Sequence, residues 1–168
     1  MRIIISAGTG EGSTPLAAFD AALLNAGVGN YNLICLSSIV PPESTIECAH
    51  FVAPSSEYGH RLYVVIAQCE EYEQGKQAWA GLGWTQAQTG HGLIVEQHGS
   101  SEAEVEEAIR ATLQAMVASR SYRYDIIKTK IVGIECRGRP VCSVVVAVFA
   151  SESWLLDGES NSTDPEVP

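Results

Sequence analysis

Basic residues are scarce in this sequence. Ten lysines and arginines stand against twenty aspartates and glutamates, a net charge of −10, and no cluster of cations offsets the balance. A surface of that sign repels phosphate backbones, which excludes nucleic-acid binding. A cationic small molecule suits it, although acidity of this kind often serves solubility alone. Long apolar runs are missing too, since no stretch reaches the roughly 18 residues of a membrane-spanning helix. The five cysteines (Cys35, Cys48, Cys69, Cys136 and Cys142) are odd in number and form no C-x-x-C pair. They read as reduced core thiols of a cytoplasmic protein, with no metal and no disulfide. There is no G-x-S-x-G elbow for a Ser–His–Asp hydrolase. The start, "MRIIISAGTGEG", has only a short apolar run and no cleavage-site pattern, so no export is expected.

What is present fits one soluble domain. The 168 residues are 46% apolar and 18% charged, enough to bury about 70% of the unfolded surface. Residues 2–6 read as a strand and "AGTGEGS" as a loop. Thr14-Pro15 then opens a helix with Leu16, Phe19, Leu23 and Leu24 on one face, closed at Gly27. Strands are expected at 32–38, 61–70 and 91–99, with an irregular stretch around "PPEST". A weak, glycine-interrupted helix is expected at "GKQAWAGLGW". The clearest helix starts at Ser101 with a capping box to Glu104, burying Val105, Ile109, Leu113, Met116 and Val117. Strands at 125–136 and 140–150 are read as a hairpin turning at "RGR". Residues 1–150 make the domain; 151–168 read as an acidic tail, its last ten residues disordered. The element order predicts an α/β sandwich with helices outside strand layers.

Four features invite chemistry. The glycines of "AGTGEGSTP" suggest an anion-binding loop before a helix. Their G-x-G-x-G spacing matches neither phosphate-loop pattern, so a turn before a helix cap is the simpler use. Asp20 lies at the edge of the first helix's apolar face. It is either an exposed carboxylate or an inward one in need of a cationic partner, and no basic residue stands three or four positions away. Glu96, in "GLIVEQHG", follows three apolar residues in a strand and shares a face with Ile94. It is either an edge residue or a half-buried carboxyl with a raised pKa, able to carry a proton. His91 and His98 face opposite sides, which argues against a shared metal.

The fourth feature is "NLICLSSIVPP", where Ser37-Ser38 ends a strand just before two prolines. A polar strand exit is one reading. The other is self-cleavage: a serine hydroxyl attacks the preceding carbonyl, and β-elimination then cuts the chain and leaves a pyruvoyl group. Such a step needs an oxyanion donor, and the amide of Asn32 is of the right type.

The stretch "FDAALLNAGVGNYNLICLSSIVPPE", with "EGSTPL" before it and "GLIVE" after, resembles the pyruvoyl-dependent arginine decarboxylases. The resemblance follows the element order over most of residues 3–150 and is densest over 11–43. It implies a four-layer αββα sandwich of the pyruvoyl-dependent histidine/arginine decarboxylase type. It implies self-cleavage into 1–37 (β subunit) and 38–168 (α subunit), with Ser38 becoming the pyruvoyl cofactor. Asn32 matches the residue that supports cleavage, Asp20 the carboxylate that receives a guanidinium, and Glu96 the proton donor. The implied reaction converts L-arginine to agmatine and CO2 in trimers, or dimers of trimers, with sites between subunits. An unprocessed homologue that binds a cationic amine without turnover is the alternative. A nucleotide-binding module built on "AGTGEGS" is a further rival.

Overall fold

The computed structural model describes residues 1–154, and the predicted disorder of the last ten residues falls outside them. Among the described residues two α-helices and nine strands build two sheets. The elements are β1 (Arg2–Glu11), α1 (Pro15–Asn25), β2 (Asn32–Cys35), β3 (Ile39–Val40), β4 (Thr45–Cys48), β5 (Arg61–Glu71), β6 (Gln77–Gln86), β7 (Gly92–Gly99), α2 (Glu102–Ala118), β8 (Lys128–Glu135) and β9 (Val141–Glu152). The first sheet has the order β2-β5-β9-β1-β4 and the second β3-β7-β6-β8. Among the described strands only β1–β4 and β2–β5 pair in parallel. This α/β arrangement is compatible with a sandwich.

Strand alternation decides what packs where. In β9, Val145 and Ala147 point to a core shared with Ala80, Leu82, Trp84 and Ile94 of the second sheet. Their neighbours Val144 and Val146 point the other way, onto Ala18 and Ala22 of α1. In β7, Leu93 and Val95 meet Val105, Ile109 and Leu113 of α2. A central strand buried on both faces needs a continuous apolar run, and "VCSVVVAVF" supplies it.

Both helix starts behave as read. Thr14 Oγ1 accepts from the Ala17 N–H at 3.2 Å, and Ser101 Oγ from the Glu104 N–H at 3.3 Å. Gly27 takes a φ of +84° just past the α1 cap.

Several expectations fail, for physical reasons. The "AGTGEGS" loop is strand: β1 runs on to Glu11, and its glycines recur every second residue on the face toward α1. A Cβ on Gly8 would stand 2.3 Å from the Ala22 carbonyl oxygen, and one on Gly10 2.4 Å from that of Ala18. The helix backbone therefore rests almost on the strand. Only small residues fit there, so α1 buries Ala18 and Ala22 and leaves Leu16 and Leu24 exposed. With no loop in place, the nucleotide-binding rival loses its motif.

The predicted helix at "GKQAWAGLGW" is β6, for the same reason: Gly81 and Gly83 face Val105 and Ile109 of α2. The "RGR" turn joins β8 to β9, but these strands belong to different sheets and form no hairpin. The stretch read as irregular contains β4, and β9 extends two residues past 150. Cys35 and Cys48 are exposed rather than core, while Cys136 and Cys142 are buried. Burial pushes the Cys142 thiol up to about 12.

Candidate active site

The strand predicted over 32–38 is split. The Leu36 N–H still donates to the Val64 carbonyl of the first sheet, at 2.8 Å. Two residues later the Ser38 carbonyl accepts from the Ile94 N–H of the second sheet, at 2.9 Å, and Ile39 and Val40 pair with Leu93 and Gly92. The Ser37–Ser38 peptide is thus the crossing between sheets. Ser38 makes the crossing with a φ of +67°, a left-handed conformation that costs an L-residue roughly 1–2 kcal/mol. The Pro41-Pro42 pair bounds the short β3 that follows.

Glu96 reaches this crossing from β7. Its position pairs across the sheet with Leu82, and it lies two residues beyond the fully buried Ile94. It therefore emerges on the inter-sheet face where the core opens. The Ser38 hydroxyl donates to Glu96 Oε2 at 2.9 Å. The carboxylate is exposed, which corrects the half-buried reading; its position at the rim is what matters. A cleft of about 310 Å3 beside the crossing is lined by Leu36, Ser37, Ile39, Tyr63 and Phe149, among others. The Tyr63 hydroxyl donates to Glu152, and that bond pushes the phenol above its usual range.

The other two predicted residues stand elsewhere in the chain. Asn32 opens β2 at its far end, where its N–H donates to the His60 carbonyl at 2.8 Å. Its side-chain Nδ2 donates to the Gly59 carbonyl at 2.7 Å. Six residues of mainly extended backbone, roughly 20 Å, separate it from Ser38. Asp20 lies on the exposed side of α1 and forms no ion pair among the described residues. One chain therefore gathers Ser37, Ser38 and Glu96, and holds Asn32 and Asp20 apart from them.

Comparison with known proteins fits this geometry. The family described as pyruvoyl-dependent arginine decarboxylase (PvlArgDC) matches residues 2–154. The chain belongs to that family. A pyruvoyl-dependent arginine decarboxylase of Thermococcus kodakarensis is 34% identical over 151 residues, covering 88% of this chain and 94% of the relative. One from Halobacterium salinarum is 30% identical over 161 residues, covering 93% and 98%. One from Methanocaldococcus jannaschii is 64% identical over 44 residues, or 26% and 27% of the two chains.

The donor set suits a pyruvoyl-dependent decarboxylase. A pyruvoyl-dependent enzyme carries its cofactor covalently, and Ser38 presents its hydroxyl to a carboxylate at a conformationally unusual residue. Sequence reasoning missed Gly59, Tyr63 and Trp154. Trp154 donates its indole N–H to the Gly59 carbonyl at 2.8 Å. These contacts join distant parts of the chain, and no local pattern announces them.

Proposed function

We infer that this protein cleaves itself between Ser37 and Ser38, then decarboxylates L-arginine to agmatine and CO2 with the pyruvoyl group so formed. The observation that carries the reading is the 2.9 Å hydrogen bond from Ser38 to Glu96 at the sheet crossing. The Ser38 Oγ attacks the Ser37 carbonyl carbon as Glu96 takes the hydroxyl proton. The C–N bond breaks as Glu96 passes that proton to the departing nitrogen, leaving an ester and a free Ser38 amine. β-Elimination then removes the Ser38 Cα proton and breaks the Cβ–Oγ bond, so the Ser37 carboxylate leaves and residues 1–37 separate from 38–168. Hydrolysis of the remaining dehydroalanine releases ammonia. Cleavage also relieves the left-handed conformation of Ser38.

Once formed, the pyruvoyl carbonyl supplies an electrophile and electron sink for the substrate amine. Glu96 then delivers a proton to the carbon that has lost CO2. Asp20 receives the guanidinium through paired hydrogen bonds. Asn32 donates to the oxyanion that develops on Ser37 during cleavage. Asn32 and Asp20 lie away from Ser38 within one chain, so a neighbouring copy supplies them.

This supports a homotrimer, or a dimer of trimers, with sites shared between subunits. The core between the sheets and the two cores under the helices support the four-layer αββα sandwich of the pyruvoyl-dependent histidine/arginine decarboxylase type. No helix among the described residues is long and apolar enough to cross a membrane. We place the enzyme in the cytoplasm.

The family match favours turnover over an unprocessed homologue that only binds a cationic amine. Intact mass of the purified protein, with arginine-dependent CO2 release from the same sample, tests the reading. Two chains and CO2 are expected. One intact chain without CO2 release would leave amine binding as the function.

A further inference from the structure

The Gly59 carbonyl accepts two hydrogen bonds from side chains: Asn32 Nδ2 at 2.7 Å and the Trp154 indole Nε1 at 2.8 Å. Because a carbonyl only accepts, the first contact fixes which end of the Asn32 amide faces it. One Nδ2 hydrogen is committed to Gly59, while the second hydrogen and Oδ1 remain for another group. The orientation of Asn32 therefore depends on where the Gly59 carbonyl sits.

No side chain of its own helps to hold that turn. Gly59 has a φ of +78°, and a Cβ built there would meet nothing within 4 Å. Hydrogen bonds locate the turn: Gly59 N–H to Asn30 at 2.7 Å, His60 N–H to Glu57 at 3.0 Å, and the Trp154 indole. Trp154 is anchored in turn by Arg61, whose guanidinium lies 4.7 Å from the centre of the indole ring. Arg61 Nη2 also donates to the Ser153 carbonyl at 2.7 Å and pairs with Glu152 at 3.2 Å. Arg61 is the residue paired with Asn32 between β5 and β2. The contacts close a ring: Asn32, Gly59, Trp154, Arg61 and back to Asn32.

We propose that Trp154 is a positioning residue for Asn32, so that the segment just beyond β9 sets the rate of self-cleavage. The proposal rests on the assignment of Asn32 to the Ser37 oxyanion. It gives a task to the start of the stretch read as an acidic tail. Trp154 touches neither Ser38 nor, on this reading, the substrate. It acts by holding the carbonyl against which the Asn32 amide is set.

The test is a double-mutant cycle on newly made precursor, following conversion to two chains over time. Trp154→Phe keeps an aromatic ring beside Arg61 and removes only the N–H. Because Trp154 is 59% exposed, the folded state should survive, and an unchanged thermal midpoint checks this. Loss of one net hydrogen bond predicts cleavage about two- to tenfold slower. Asn32→Ala should be slower still, and Trp154→Phe should add nothing in that background. Wild-type cleavage by Trp154→Phe alongside a slow Asn32→Ala overturns the proposal and spares the role of Asn32. Equal slowing by Trp154→Phe in both backgrounds also overturns it, because Trp154 would then act by another route. Asn32→Ala cleaving at the wild-type rate removes Asn32 from the chemistry, and the proposal falls with it.

Discussion

Two substitutions at the sheet crossing separate the proposed nucleophile from its proposed base. Ser38→Ala has a methyl group where the hydroxyl was, and a methyl cannot attack the Ser37 carbonyl. The variant should stay one chain by intact mass and release no CO2 from arginine. Glu96→Gln is the subtler change. Its amide oxygen can still accept the hydrogen bond that Glu96 Oε2 takes from Ser38 at 2.9 Å, so the geometry survives. A neutral amide takes up no proton, and removing a general base typically costs about 10²- to 10⁴-fold in rate. Self-cleavage of Glu96→Gln should therefore slow to that extent on a time-course gel. Cleavage at the wild-type rate would restrict Glu96 to the decarboxylation step.

At the scale of elements, the glycines of β1 and β6 matter more than their number suggests. Each strand meets its helix through glycine, but against different atoms. A Cβ on Gly83 would stand 2.0 Å from the Ile109 Cγ2, a side-chain methyl that clears only if Ile109 changes rotamer, whereas one on Gly10 would meet the Ala18 carbonyl and the Ala22 N–H. Backbone cannot yield without moving the whole of α1. Gly83→Ala should cost about 1–3 kcal/mol, the usual range for overpacking, and Gly10→Ala more than that. Thermal unfolding of both variants at one protein concentration would rank them; the reverse order would contradict the packing. The same glycines explain where the sequence misled. Alternating Gly in β1 looks like a loop, and Gly81 and Gly83 look like interruptions in a helix, because glycine carries no hydrophobic signal of its own. The capping residues Thr14 and Ser101 and the stripe Val105, Ile109, Leu113 were legible because each acts within a few residues. The sheet change at Ser37-Ser38 was not, since a continuous strand and one that crosses between sheets have the same local pattern. Of the candidate site, "LSSIVPP" and Glu96 stood out in the sequence and the structure brings Ser38 and Glu96 together, but the contacts of Gly59 and Trp154 depend on residues some thirty to ninety positions apart.

For the whole molecule, what matters is that the chain holds the carboxylate proposed for the guanidinium away from Ser38. Ser38 and Glu96 meet at the sheet crossing, while Asp20 faces outward on α1. If a neighbouring copy completes the site, light scattering at micromolar concentration should give a trimer or a multiple of it. Asp20→Asn should then cleave itself normally, because the guanidinium end of the site plays no part in serinolysis. It should lose most arginine turnover, since hydrogen bonds between charged groups contribute about 1.5–3 kcal/mol, roughly ten- to hundredfold. Ser38→Ala supplies an intact Asp20 but forms no pyruvoyl group. Neither variant alone has a complete site, yet together they contain both halves. In a cyclic ring formed by co-expressing them in equal amounts, each interface draws its two halves independently, so about one site in four is wild-type. Arginine decarboxylation should therefore return in the co-expressed mixture to about a quarter of the wild-type rate. A site built within one chain predicts no recovery above the two variants measured separately, and that result would return Asp20 to the surface of its own subunit.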